Sequence, residues 1–267
     1  AQPTNEIKFL QRMLVKYELA TLPIHDAAIA YRTGLSIAHH ARPHAHNRYL
    51  LKLDFKDFFP SIRWSSIAHR LTIDKQYTGV ELWILGNLLC RKVKPTGVQH
   101  LSIGAPSSPH ISNYVLHEFD SKLMDFCSQH RVHYTRYADD LALSTNTPGV
   151  LDAVYREVRH LINELDYLGL QLNEEKSINV SKKRRRTLVG LTLANNGHAS
   201  IGRDAKRYLR LAIHRAALGT LGPTEIANLQ GRLAFTYAID PTFVDTLLAR
   251  YGFASIAGIG YRAVPPS

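Results

Sequence analysis

The stretch Tyr137-Ala138-Asp139-Asp140 sets two carboxylates side by side between two β-prone runs, and little else in the 267-residue chain restricts its fold as much. Residues 132–137 read as one strand and residues 141–144 as the next, so Ala138-Asp139-Asp140 is expected to form a hairpin turn. A turn carries both acids to one end of a sheet. Two neighbouring anions repel unless a cation or solvent compensates them. An isolated Asp-Asp turn in water would need no further explanation, but a second apolar run, Leu51-Lys52-Leu53-Asp54, also ends in an acid. If the two runs are neighbours in one sheet, Asp54, Asp139 and Asp140 converge. Two divalent ions about 4 Å apart, as used in phosphoryl transfer, need such a cluster of hard oxygen ligands.

Lysine and arginine outnumber the acids, giving a formal net charge of +11. An acidic polymer or anionic surface is the expected partner. Apolar content is 45%, ordinary for a globular chain. No apolar run reaches membrane-spanning length and no signal peptide is visible, so no membrane partner is expected. Cys90 and Cys127 are the only cysteines, too few for a disulfide scaffold or a Cys-rich zinc motif, and a cytoplasmic setting is expected.

Helical spacing of apolar residues predicts helices over 6–19, 65–71, 80–89, 151–168, 203–218, 224–237 and 241–251. A further long helix is expected after Gly104-Ala105-Pro106-Ser107-Ser108-Pro109. Ser108 would cap it, Pro109 would sit in its first turn, and Ile111, Val115, Phe119 and Leu123 would share its buried face. His25 and Asp26 read as a structural pair rather than an acid–base pair, having no nucleophile nearby. His39, His40, His44 and His46 form the densest histidine cluster. They lack a Cys or carboxylate at ligand spacing, so a surface loop or helix cap is expected over a metal site.

The segments around Asp54, Gly104 and Asp139-Asp140 resemble, in order and spacing, motifs A, B and C of reverse transcriptases, the last matching the family's YxDD box. Gly104 to Pro109 is similar to motif B of the bacterial, retron-type branch. Ala41-Arg42-Pro43-His44 resembles a retron-specific Asn-Ala-x-x-His insertion, with His40 where Asn is usual. Ile103 stands where much of the family has Gln, and Val189 where retron enzymes have Thr.

The resemblance implies an α+β, right-hand polymerase fold. Partial fingers would span 1–49, a palm with an antiparallel sheet and interleaved fingers helices 50–200, and a helical thumb 201–252. A tail over 253–267 is expected to be poorly ordered. The family's early fingers strands have no match and the chain opens on Ala1 rather than Met, so truncated fingers are expected. Two Mg2+ ions would be the cofactors and a dNTP the substrate. Asp54 and Asp139 would hold both ions, with the Phe55 carbonyl as a further ligand and Asp140 assisting more loosely. Lys176, in Gln171-Leu172-Asn173-Glu174-Glu175-Lys176, matches the motif D lysine that protonates pyrophosphate. Phe55, Lys56, Asp57, Phe58, Phe59, Gly104, Ala105 and Pro106 would surround the nucleotide. Phe59 would exclude a 2′-hydroxyl, while Phe58 also reads as core.

Lys182, Lys183, Arg184, Arg185 and Arg186 form the strongest charge run, followed by Leu188-Val189-Gly190, which resembles the motif E primer grip. With Arg203, Lys206, Arg207 and Arg210 they are expected to contact nucleic acid. Retron enzymes copy part of a structured noncoding RNA that is both template and primer, leaving a branched RNA–DNA hybrid. Many act in phage defence with an effector protein. Two alternatives stand beside this reading. One is another prokaryotic reverse transcriptase, from a group II intron or a different defence system. The other is a scaffold that binds nucleic acid without polymerising it.

Overall fold

The computed structural model describes residues 2–260. The chain divides into two compact units, Ala1–Arg184 and Arg185–Ser267. The first contains α1 (Asn5–Tyr17), α2 (Ile37–Ala45), β1 (Tyr49–Asp54), α3 (Phe58–Ser61), α4 (Trp64–Lys75) and α5 (Gly79–Leu89). The short hairpin β2 (Arg91–Lys92) and β3 (Gln99–His100) follows, then α6 (Ser108–Val115), α7 (His117–Gln129), β4 (His133–Tyr137), β5 (Asp140–Thr145), α8 (Val150–Glu164) and β6 (Ile178–Ser181). The second contains β7 (Arg186–Leu188), β8 (Leu191–Leu193), β9 (Ala199–Ser200), α9 (Arg203–Ala217), α10 (Pro223–Ile239) and α11 (Pro241–Arg250). The sequence reading sets its palm limit at 200, and the division into compact units falls after Arg184. The strand run 186–200 pairs with itself in the order β7-β8-β9 and joins the helices that follow it.

The first unit is built on an antiparallel sheet in the order β4-β5-β1-β6. Its two faces differ because side chains alternate along each strand. Leu51, Leu53, Tyr134, Leu141 and Leu143 point into the main core, where Phe119, Leu123, Val154, Val158 and Leu161 of α7 and α8 meet them. The opposite face presents Thr135, Ala142 and Ser144, small enough for α2 to lie close against it. The expected long helix after Pro109 is broken at Leu116 into α6 and α7, although its four apolar residues are all buried as expected. Ser108 is not its cap. Its hydroxyl donates to Ser102 O at 2.8 Å, tying the helix start to the preceding loop.

α8 ends at Glu164 and gives way to a single tight turn, Asp166–Leu168, closed by Gly169. Gly169 has φ +70°, and a Cβ there would stand 2.7 Å from Ser61 O. Gly169→Ala is expected to destabilise the first unit by about 1–3 kcal/mol, read from the urea midpoint.

In the second unit Leu209, Ile213, Leu229, Leu233, Val244 and Leu247 form a separate core among α9, α10 and α11. Ile259 is buried in it, and Gln230 Nε2 donates to Ile259 O at 2.8 Å. Residues 253–260 therefore pack on the helices, contrary to the expected loose tail; the rest of that tail lies outside the described residues. No helix among the described residues is long and apolar enough to cross a membrane.

Candidate active site

β1 and β5 are antiparallel neighbours, and their register pairs Asp54 with Asp140. Tyr137 pairs with Asp140 across the hairpin, so the loop is only Ala138 and Asp139, and Asp140 is the first residue of β5 rather than part of the turn. Ala138 adopts φ +57°, in the left-handed region that closes such two-residue loops. Phe55 N donates to Asp139 O at 3.1 Å, carrying the ladder one step past Asp54 and fixing the turn against the end of β1. The three carboxylates predicted from sequence thus share one end of one sheet.

Their electrostatics match that crowding. Burial, and then the charge of Asp54, pushes the Asp139 carboxyl above the usual carboxylate range. Asp140 is raised by burial and then by Asp139. Lys176 Nζ lies 3.0 Å from Asp54 Oδ1, and this hydrogen bond and charge hold the ammonium above its ordinary value. Among the described residues no three His, Cys, Asp or Glu side chains are gathered into a finished metal site, and one oxygen of Asp54 is drawn to Lys176 instead. The donor set nevertheless fits hard divalent cations: three carboxylates at one end of one sheet, with no soft ligand among them.

The hairpin is held from below by a fully buried ion pair that sequence reading missed. Arg136 Nη2 lies 2.6 Å from Asp120 Oδ2 and Nε 2.8 Å from Oδ1, with Tyr134 Oη donating to the same carboxylate at 2.7 Å. Arg136 Nη1 donates to Ala138 O at 3.0 Å and to Asn113 Oδ1 at 3.2 Å. The turn residue is therefore tied through Arg136 to α6 and α7.

The other face carries the histidines. His40 and His44 are buried, not surface or cap groups; His39 caps the start of α2, accepting from Ser36 N at 3.1 Å, and His46 stands at its C-cap. Asn47 Nδ2 donates to Ser144 Oγ at 2.8 Å, Ser144 Oγ lies 2.7 Å from His44 Nδ1, His44 Nε2 lies 2.8 Å from Thr135 Oγ1, and Thr135 Oγ1 lies 2.8 Å from His40 Nδ1. With His44 protonated on Nε2, each hydroxyl in this chain both accepts and donates, Thr135 Oγ1 also lying 3.3 Å from His40 O. Burial drives His40 down to about 3 and His44 well below its ordinary value, so both are neutral at physiological pH. His25 is structural, its Nδ1 accepting from Ala27 N at 3.1 Å, and Asp26 pairs with Arg32 at the surface.

A cavity of about 370 Å³ is lined by Phe59, Tyr31, Gly104, Ala105 and Pro106 together with Lys8 and Arg12. Phe59 is half-buried and its ring stands 6.4 Å from Tyr31. Tyr31 is raised first by burial and then by the charge of Asp139. Phe58 does not join it: it is buried and stacks on Phe55 at 5.9 Å in the core. Nor is the Lys56 amide free for a phosphate, since it donates to Gln171 O at 2.8 Å. Ile103 is exposed beside the cavity mouth. Tyr31, Lys8 and Arg12 were not anticipated. The four-residue spacing of the two cations on α1 was the available signal.

The basic residues divide. Lys182, Lys183 and Arg184 follow β6 in the first unit, and Arg185 is exposed at the start of the second. Arg186 is buried, with Nη2 3.5 Å from Leu193 O, so it does not present its charge to solvent. Leu188 is likewise core, and Val189-Gly190 form the β7–β8 turn, both at positive φ. A β-branched residue at φ +42° is strained, marking Val189 as a position held by its surroundings. On α9, Arg203, Arg207 and Arg210 are exposed, while Lys206 is engaged with Asp240 at 2.6 Å.

Comparison with known proteins agrees with this geometry. Residues 1–193 match the family model described as Reverse transcriptase (RNA-dependent DNA polymerase). The Retron Ec83 reverse transcriptase of Escherichia coli is 36% identical over 263 residues, covering 97% of this chain and 84% of that protein. The Retron Ec73 reverse transcriptase of the same organism is 30% identical over 272 residues, covering 93% and 81%. The chain belongs to the reverse transcriptases, a family of RNA-dependent DNA polymerases, and within them to the retron type. The solved structure of apo telomerase from Candida tropicalis superposes with a TM-score of 0.50 at 12% identity, over 91% of this chain and 49% of that one. The chain thus spans about half of the telomerase chain, and that likeness shows the fold alone, a polymerase of the α+β, right-hand kind.

Proposed function

We propose that this chain copies part of a structured noncoding RNA into DNA, priming from the same RNA and leaving a branched RNA–DNA product, in a locus that serves phage defence through an effector protein. The observation that carries the polymerase reading is the cross-strand pair Asp54 and Asp140 with Asp139 in the adjoining turn. The identity to retron reverse transcriptases supports the subtype.

Asp54 and Asp139 would hold two divalent ions, Mg2+ on this reading, with Asp140 and the Phe55 carbonyl beside them. Bound there, the ions supply a lowered pKa for the primer hydroxyl and charge stabilisation for the departing pyrophosphate. Lys176, protonated beside Asp54, would give a proton to that leaving group on this reading. On this reading Phe59 and Gly104 to Pro106 line the nucleotide cavity, and the Phe59 ring would meet a 2′-hydroxyl. Phe59→Val is expected to raise ribonucleotide incorporation relative to deoxynucleotide by about tenfold or more, measured as the ratio of kcat/KM values. An unchanged ratio would remove Phe59 from the gate.

The test of the whole reading is made on nucleic acid that copurifies with the protein expressed from its full locus. A short DNA whose mobility shifts on 2′–5′ debranching is expected. Unbranched DNA would retain the polymerase and discard the retron priming; RNA alone would favour the scaffold.

A further inference from the structure

The sheet has a second charged end. Strands β1 and β6 pair Tyr49 with Ser181, and Lys182 N donates to Arg48 O at 2.9 Å, so Lys182, Lys183 and Arg184 leave β6 beside the start of β1. Thr145, the last residue of β5, donates from Oγ1 to Arg131 O at 3.1 Å, which brings the residues before β4 to the same end. The aspartates stand at the other end, five residue steps along β1, about 17 Å away at about 3.3 Å per step. From β4 to β6 the row crosses three strand spacings, about 14 Å.

Arg48, Arg131, Lys183 and Arg184 are exposed and Lys182 half-buried. Among the described residues none of the five takes part in an ion pair. The side chains hydrogen-bonded into this end are Asn47, Asn146, Thr145 and Ser181, all uncharged. Arg48 lies over the ring of Tyr49 at 5.5 Å, extending a flat surface beside the charges. Five unpaired cations along one edge, with no carboxylate among them, repel one another unless an anion joins them. A protein partner would need a matching acidic strip; a phosphate backbone offers one at every residue.

We propose that this far end of the sheet anchors the phosphate backbone of folded RNA, at a segment that is not being copied. The proposal rests on the reading of this chain as an enzyme that works on a structured RNA. An RNA engaged at both ends of the sheet must extend well past the hybrid at the aspartates.

The test compares two variants with the unaltered chain: K182Q/K183Q/R184Q and, independently, R48Q/R131Q. Affinity is measured by filter binding across a range of potassium chloride concentrations, for a long RNA hairpin with single-stranded arms and for a short RNA–DNA hybrid with a template overhang. The first variant is expected to weaken hairpin binding and to reduce the slope of log affinity against log salt by about 2–3, at 0.7–0.9 per phosphate contact; the second reduces it by about 1.5. Hybrid binding should change far less. Equal losses on hairpin and hybrid, or an unchanged hairpin slope in both variants, would overturn the proposal, as would a preference of this patch for anionic vesicles over the hairpin. Extension of the hybrid by the unaltered chain is run alongside; its absence counts against the polymerase reading, whereas the binding comparison judges the anchor.

Discussion

Replacing Asp139 by Asn is expected to lower DNA synthesis on an RNA template by on the order of 10²–10³-fold or more, while leaving the folded chain at least as stable as before. The two effects have one origin. Asp139 and Asp140 are raised above the ordinary carboxylate range by burial and by neighbouring acids. Over that interval the folded chain keeps protons that the unfolded chain has lost. Stability from the pair is therefore greatest at acid pH and declines as pH rises through the raised values. Asn carries no charge, so the decline from position 139 disappears, and Asp140 loses one of the causes of its own shift. The chemistry suffers because an amide is a poor ligand for a hard divalent ion where a carboxylate is needed. Primer extension and thermal melts at neutral and acid pH measure both parts. Full synthesis by Asp139→Asn would refute the assignment of the site. A melting temperature that drops at neutral pH would refute the account of its electrostatics.

The largest loss of stability is expected from Arg136→Met. It leaves the Asp120 carboxylate buried without its cation and strips Ala138 O and Asn113 Oδ1 of a donor. Breaking a buried pair from one side costs about 3–5 kcal/mol, which for a unit of this size lowers the melting temperature by roughly 10 °C. Asp120→Leu together with Arg136→Met should recover much of that, since no charge is then stranded. DNA synthesis should stay low in the double variant, because the Ala138 carbonyl still has no guanidinium to hold the turn. Recovery of both stability and synthesis would show that the pair is only packing. Additive losses in the two single variants would show that the two side chains act independently.

The parts legible from sequence are those written in local patterns. The hairpin, the apolar run ending in Asp54 and the amphipathic helices α1, α8 and α9 all carry their period within a few residues. What was missed depends on distant partners. His40 and His44 look polar and exposed in a stretch with Arg42 and Pro43. They are buried because Thr135, Ala142 and Ser144, about a hundred residues later, turn a small-residue face toward them. Lys206 reads as a phosphate contact until Asp240 is found beside it. The break at Leu116 leaves no trace, since the four-residue apolar spacing runs straight through it. The basic run looked like one feature, yet Arg186 turns inward at the start of β7 while Lys182, Lys183 and Arg184 remain at the end of the first sheet.

The hydrogen-bonded histidines have a consequence for how the chain avoids folding out of step. If β5 slid by one residue against its neighbours, Leu141 and Leu143 would swing under α2, and Ser144 would enter the apolar core. His44 Nδ1 would then lose Ser144 inside the protein, where a neutral imidazole nitrogen has no water to turn to. The misaligned hairpin is penalised on both faces at once. Its correct alignment also decides which residue stands opposite Asp54: a slip would offer Leu141 or Asp139 in place of Asp140 and disperse the carboxylates before any ion arrived. Two side chains that touch neither nucleotide nor metal thus act as a proofreading device for the placement of the acids during folding.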